Sequence, residues 1–145
     1  MLKNSEKLIA QYLEAKQALK GLGILRTDRS LEGDYAEWLI SNNLGLKLSE
    51  STIQKGYDAT DISGNTYQIK SRVVETLNHN TSFDIKNIDF EFDYLVCVFF
   101  SPNLKLLKLL KIPYKVVVQL GIQNQSSFRL RWNVKTRSLL MQYLT

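Results

Sequence analysis

Three polar residues within GYDATDISGNTYQIKSR, residues 56–72, have the types and spacing of a hydrolytic metal site. Asp58 precedes a turn at residues 63–65, and Gln68 and Lys70 follow it two residues apart. Side chains alternate faces along a strand, so Gln68 and Lys70 share one face. A three-residue loop would place Asp58 opposite Lys70, with opposed Cβ atoms about 5 Å apart. A carboxylate, an amide oxygen and an ammonium at one point suit a hard divalent cation and phosphodiester hydrolysis.

The spacing alone leaves a second interpretation open. An Asp followed about ten residues later by Gln-x-Lys arises often by chance. The alternative is an exposed hairpin with a solvated polar face. The charge pattern and the neighbouring elements must therefore decide between the two.

Charge is divided unevenly along the chain. The net charge is +5, from 19 Lys and Arg against 14 Asp and Glu. No acidic residue follows Asp93, whereas the later part of the chain contains Lys105, Lys108, Lys111, Lys115, Arg129, Arg131, Lys135 and Arg137. Such asymmetry indicates a polyanionic partner, and nucleic acid fits it. The alternative is a basic surface that only aids solubility.

Length and composition describe one globular domain. The 145 residues are enough to bury a core, and the hydrophobic content of 44% is ordinary. The longest unbroken apolar run, Tyr94–Phe100, is too short to span a bilayer, and residues 1–10 lack a signal-peptide core. We therefore expect a cytoplasmic protein with no membrane partner. Cys97 lies inside the apolar run and is expected to be an inert core thiol.

The hydrophobic pattern predicts an α/β or α+β fold with a central mixed sheet. Strands are expected at residues 46–49, 57–61, 66–74, 94–100 and 128–132. Helices are expected at residues 6–19, at 31–44 before Gly45, after Pro113, and at the C-terminal end of the chain. Residues 75–87 are polar and mixed, so a loop is expected there.

Residues 104–112 fit two structures. Lys105, Lys108 and Lys111 recur every third residue, as on an amphipathic helix lying on a membrane surface. The segment is short, lacks an aromatic anchor and closely follows a turn, so the return strand of a hairpin is favoured. In the helix at 31–44, Glu37 lies at the margin of the apolar surface and can point toward the 57–74 hairpin. The alternative for Glu37 is a solvated helix position.

The segments GDYAEWLI and GYDATDISGNTYQIKSR resemble the core of the PD-(D/E)xK nuclease superfamily. Members carry a Glu on a helix, an Asp on one strand, and Glu, Asp or Gln followed by x-Lys on the next. The Gln version is similar to Mrr-type restriction enzymes, and the Gly-x-x-x-Glu and Lys-Ser-Arg motifs are similar to archaeal Holliday-junction resolvases. The resemblance covers residues 31–72. It implies a restriction-endonuclease-like core of helices around a mixed sheet, in a single domain over residues 1–145 with helix 5–20 as an extension.

The resemblance also implies a DNA endonuclease of restriction or repair type that depends on Mg²⁺ or Mn²⁺. Asp58, Gln68, Glu37 and the Ile69 carbonyl would hold the metal, and Lys70 would stabilise charge on the phosphate. The residues implied to contact DNA are Arg72, Arg129, Arg131, Arg26 and Arg29. Gln68 replaces the commoner acid, which keeps open an inactive DNA-binding module or assembly subunit with the same fold. A homodimer would suit the cutting of both strands.

Overall fold

The computed structural model describes residues 1–50 and 56–145. Helices and strands alternate irregularly along this part of the chain. In order they are α1 (Leu2–Gly21), α2 (Leu31–Leu44), β1 (Lys47–Leu48), β2 (Ala59–Thr60), β3 (Thr66–Val73), β4 (Thr81–Ile85), β5 (Tyr94–Phe100), β6 (Leu106–Pro113), α3 (Tyr114–Leu120), β7 (Ile122–Gln123), β8 (Phe128–Trp132), α4 (Val134–Leu140) and the 3-10 turn Met141–Tyr143.

The strands form two sheets. The five-stranded sheet has the order β1-β2-β3-β5-β6, and the three-stranded sheet has the order β4-β8-β7. Only the β3–β5 pairing is parallel among the described strand pairs. The larger sheet is therefore mixed and has helices against it, which confirms the α+β class and the central mixed sheet expected from the sequence.

Strand β5 divides the core between the two faces of the larger sheet. On one face, Val96 and Val98 pack in a cluster with Ala36 and Ile40 of α2. On the other face, Leu95, Cys97 and Phe99 pack with residues of the smaller sheet that include Phe83, Leu130 and Trp132. Because Lys70 is in register with Cys97, the side chains of Gln68, Lys70 and Arg72 lie on the face covered by the smaller sheet.

Helix α2 has the bounds that its sequence predicts. The side chain of Ser30 caps its N-terminus by accepting a hydrogen bond from the Gly33 N–H at 3.1 Å. Gly45 ends the helix in the left-handed conformation, with φ of 66°. Glu32, in the first turn, also accepts a hydrogen bond of 3.1 Å from the Ser71 hydroxyl of β3. The cap and this cross-link fix the position of α2 along β3.

Three expectations for other elements have different outcomes. The loop expected at residues 75–87 is wrong, because β4 lies there and buries Phe83 and Ile85 against β8. Strand β6 confirms the strand interpretation of residues 104–112. Helix α1 covers the predicted N-terminal helix but has no buried residue. Within residues 1–50 and 56–145, no helix combines the length and hydropathy needed to cross a bilayer.

Candidate active site

The hairpin between β2 and β3 sets the position of Asp58. Its loop is residues 62–64, one residue earlier than expected, and the flanking pairs are Thr60 with Thr66 and Ala59 with Tyr67. The Asp61 carboxylate accepts hydrogen bonds of 2.9 Å from the N–H groups of Ser63 and Asn65. Gly64 supplies the positive φ, 88°, that closes this kind of turn. The expectation that Asp58 lies opposite Lys70 is therefore wrong.

Asp58 instead lies alongside Gln68. Its N–H donates to the Tyr67 carbonyl at 2.7 Å, and its Oδ2 accepts from the Ile69 N–H at 2.8 Å. Lys70 is then diagonal to Asp58 rather than opposite. The observed partner of Asp58 differs from the expected one by two residues, so Asp58 still lies on the face of the hairpin that carries Gln68 and Lys70.

The amide of Gln68 has a defined orientation. Its Nε2 donates a hydrogen bond of 3.1 Å to the carbonyl of Gly56, and the side chain is half-buried. An amide whose nitrogen is bonded in this way presents Oε1 as an acceptor. Gln68 can therefore offer an oxygen ligand next to Asp58.

Glu37 brings a second carboxylate to Asp58. Burial raises the pKa of Glu37 to about 7, the charge of Asp58 adds to the rise, and Arg26 and Lys70 oppose it. Burial also raises the pKa of Asp58, opposed by the Ile69 N–H, Lys70 and Arg26. Glu37 and Asp58 are both partly withdrawn from water and their negative charges repel each other, so the pair attracts a cation. The structure thus brings Glu37, Asp58 and Lys70 within electrostatic reach of one another.

A cavity of about 160 Å³ opens beside the two carboxylates. This volume has room for several waters. Its lining residues are Arg26, Thr27, Arg29, Ser30, Gly33, Asp34, Glu37, Ser49 and Asp58. The Ser49 hydroxyl is buried and has no hydrogen-bond partner among the described residues. A buried hydroxyl of this kind indicates a site for water or for a hydrated ion.

The donor atoms fit a hard divalent cation. In residues 1–50 and 56–145, no three His, Cys, Asp or Glu side chains are grouped so that they could hold a metal ion. A metal at this cavity would therefore also need amide or carbonyl oxygens as ligands. The Ile69 N–H faces Asp58, and the carbonyl of a strand residue points to the same side as its N–H. The oxygens of Asp58, Glu37, Gln68 and the Ile69 carbonyl are the ligand type that Mg²⁺ and Mn²⁺ prefer.

The arginines expected to contact DNA lie in different surroundings. Arg26 is inside the cavity, where its Nη1 lies 3.6 Å from Glu37 Oε2. Arg129 pairs with Asp84 of the neighbouring strand β4 at 2.7 Å. Arg72 of the larger sheet lies 3.9 Å from the same carboxylate. Arg131 is exposed on the same face of β8 as Arg129, and Arg29 is exposed at the cavity rim. Arg131 and Arg29 are therefore the members of this set that face solvent.

Sequence reasoning missed Asp34, Ser49 and Asp84. Buried Asp34 accepts hydrogen bonds from the N–H groups of Arg26 and Thr27 at 3.0 and 2.8 Å, so it holds their backbone against α2. In the sequence, Asp34 is marked only by its place near the start of a predicted helix, where acidic residues are common. For Asp84 the available signal was the alternation in TSFDI, which marks a short strand with a polar face.

Comparison with known proteins leaves the chain without an assigned family. No family model matches it, and no curated protein matches it. Among solved structures it is similar to a bacterial homing endonuclease, I-Ssp6803I, with 15% sequence identity and a TM-score of 0.46. The match covers 80% of this chain and 94% of that chain. At this TM-score the likeness adds nothing to the functional assignment, which depends on the site itself.

Proposed function

We propose that this chain is a divalent-metal-dependent nuclease that hydrolyses phosphodiester bonds in DNA. The observation that carries the proposal is that the Glu37 and Asp58 carboxylates line one cavity, with the Lys70 charge within electrostatic reach of both and Gln68 alongside Asp58. Two carboxylates with cationic side chains nearby form an oxygen-rich site that could hold a metal ion and a phosphate. This combination suits phosphoryl chemistry better than it suits a purely structural role.

In the proposed reaction the site residues divide between holding the metal and stabilising charge on the phosphate. Asp58, Glu37, Gln68 Oε1 and the Ile69 carbonyl would hold Mg²⁺ or Mn²⁺, which when bound would polarise water and a phosphate oxygen. The Ile69 N–H holds the Asp58 carboxylate in place before the metal arrives. Lys70 would stabilise the negative charge that grows on the phosphate in the transition state. Its strand belongs to the core sheet, and residues on strands are held more precisely than residues on loops.

DNA would approach over the face shared by β3 and β8. Arg72 follows Lys70 by two residues on the same face, and Asp84 links it to Arg129 on β8. Exposed Arg131 extends this row of positive charge. Guanidinium groups in a row would hold phosphates without reading base sequence. The row would thus place the backbone of the bound strand next to Lys70.

Two observations favour the second candidate, a DNA-binding module that does not cut. Arg26 already supplies a cation to Glu37, and Gln68 lacks the charge of the usual acid at its position. A site neutralised in this way can be stable without metal. The module would keep the arginine row but would show no hydrolysis.

Plasmid cleavage separates the two candidates. The purified chain should nick or linearise supercoiled plasmid with Mg²⁺ or Mn²⁺ and not with EDTA. Lys70→Ala should remove the activity, whereas Lys108→Ala, a matched loss of charge at an exposed strand position, should retain it. DNA binding without cleavage in either metal would favour the non-cutting module. Cleavage by Lys70→Ala at the wild-type rate would remove the proposed mechanism.

A further inference from the structure

The guanidinium of Arg26 lies beside Glu37 in the wall of the cavity. Its Nη1 lies 3.6 Å from Glu37 Oε2, and its Nη2 donates to the carbonyl of Ser49. The side chains of Arg26 and Glu37 are 22% and 27% exposed, so the pair is largely shielded from solvent. Arg26 therefore acts on the same carboxylate that would ligate a metal.

The backbone beneath Arg26 is held independently of this ion pair. Asp34 accepts hydrogen bonds from the N–H groups of Arg26 and Thr27 and from the Thr27 hydroxyl. These bonds fix the start of the side chain, while the contacts of the guanidinium among residues 1–50 and 56–145 are with Glu37 and Ser49. The guanidinium can leave Glu37 without any change in the fold around Asp34.

Charge balance explains why a cation lies there. Glu37 and Asp58 repel each other at one partly desolvated cavity, and a divalent ion would relieve that repulsion more fully than one guanidinium. An arginine at 3.6 Å from Glu37 would in turn repel an incoming metal ion. The two cations therefore oppose each other at the same oxygen.

We propose that Arg26 is an internal counter-ion that a divalent metal must displace from Glu37. This inference rests on the metal site of the proposed function. Metal binding and the Arg26–Glu37 contact are then coupled with negative sign: each weakens the other by the same factor. Once displaced, the guanidinium remains at the cavity because Asp34 holds its backbone, and it can meet a phosphate oxygen of bound DNA.

An ordinary structural ion pair makes a different prediction. If Arg26 only stabilises the fold, its loss lowers the melting temperature equally with and without metal. Metal affinity would then be unchanged. If Arg26 opposes the metal, its loss destabilises the metal-free protein and strengthens metal binding.

The test is titration of Mn²⁺ alone into wild-type protein and variants by calorimetry, with melting temperatures measured in EDTA and in Mn²⁺. Arg26→Gln should bind Mn²⁺ at least about fivefold more tightly than wild type, the lower end of typical coupling between sites. Lys108→Gln removes one positive charge at an exposed residue of β6 that does not line the cavity, so it is the control. Its affinity should stay close to that of wild type.

Two further variants make the outcomes decisive. Arg26→Lys keeps the charge but cannot contact Glu37 and the Ser49 carbonyl together, so its Mn²⁺ affinity should lie between those of wild type and Arg26→Gln. It also serves if Arg26→Gln does not fold. Equal or weaker Mn²⁺ binding by both Arg26 variants relative to Lys108→Gln would overturn the counter-ion role while leaving the metal site intact. Mn²⁺ binding that Asp58→Asn does not weaken, or no binding by any variant, would overturn the metal site and this inference with it.

Discussion

The Asp58 carboxylate accepts a hydrogen bond of 2.8 Å from the backbone N–H of Ile69, the residue between Gln68 and Lys70. Strand β2 begins at the next residue, Ala59, and its pairing with β3 reaches Tyr67. Beyond that pair, the Asp58 side chain takes the place of a strand partner for β3. The bond therefore does two things. It satisfies a strand N–H that has no partner on β2, and it places a carboxylate beside the two residues with which it would act.

Asp58 allows chemistry and fold to be tested separately. Asp58→Asn keeps an oxygen that accepts from Ile69 but removes the charge, so cleavage should fall at least a hundredfold with little change in stability. Asp58→Ala should be equally inactive and less stable by about 1 to 3 kcal/mol, because a buried N–H loses its partner. Plasmid cleavage and urea unfolding measure the two effects. Wild-type cleavage by Asp58→Asn would contradict the assigned role.

Gln68→Glu should strengthen metal binding and retain cleavage, because it adds a charged oxygen ligand. Without metal the variant should be less stable, since the carboxylate replaces the donor to the Gly56 carbonyl with an acceptor. Differential scanning fluorimetry with and without Mn²⁺ measures both changes. Gln123→Glu is the matched control, because Gln123 also donates to a backbone carbonyl but lies exposed on β7. A metal-induced shift no larger than that of wild type would argue against Gln68 as a ligand.

Glu37→Gln should stabilise the metal-free protein above pH 7. The pKa of Glu37 is about 7 in the folded protein and 4.5 in the unfolded chain. Between these values the folded protein holds a proton that the unfolded chain has lost, so wild-type stability falls as pH rises from 4.5 to 7. The variant lacks this loss and should be more stable at pH 8 by roughly 1 to 3 kcal/mol.

Urea unfolding of wild type and Glu37→Gln in EDTA at pH 4.5, 6 and 8 measures the difference. The same variant should also lose most of the stabilisation that Mn²⁺ provides, because a ligand is gone. Glu32→Gln changes the same charge one turn earlier on α2, where Glu32 bonds to Ser71, and should not reproduce this pH profile. A Glu37→Gln profile identical to that of wild type would refute the buried, repelled state of Glu37.

DNA binding should depend unequally on the two arginines of β8. Arg131→Gln should reduce the slope of log affinity against log salt by about one unit, as expected for one lost phosphate contact. Arg129→Gln should reduce it by less, because Asp84 already neutralises Arg129 at 2.7 Å. Fluorescence anisotropy with two unrelated duplexes measures the slopes, and Lys108→Gln serves as a control. An unchanged slope for Arg131→Gln would place the DNA site elsewhere, with exposed Arg29 the next residue to test.

Short-range patterns determined much of this protein. Ser30 and Gly45 mark the ends of α2 through local hydrogen bonds and backbone conformation, so the predicted helix has the observed bounds. The apolar run of β5 predicts a buried central strand because a strand covered on both faces carries apolar residues at successive positions. The period of two in β3 predicts that Gln68 and Lys70 share a face, whatever the hairpin register.

Only the tertiary structure decided features that depend on distant partners. Strand β4 exists because Phe83 and Ile85 pair with β8, more than forty residues later, and two apolar residues are too few to signal this locally. The register of the β2–β3 hairpin depended on which residue took the positive φ of the turn. The pairs Arg26–Glu37 and Arg129–Asp84 likewise form between separate elements, so a sequence shows their charges but not their partners. Chain folding, by bringing these charges together, determines which arginine lies beside a carboxylate and which faces solvent.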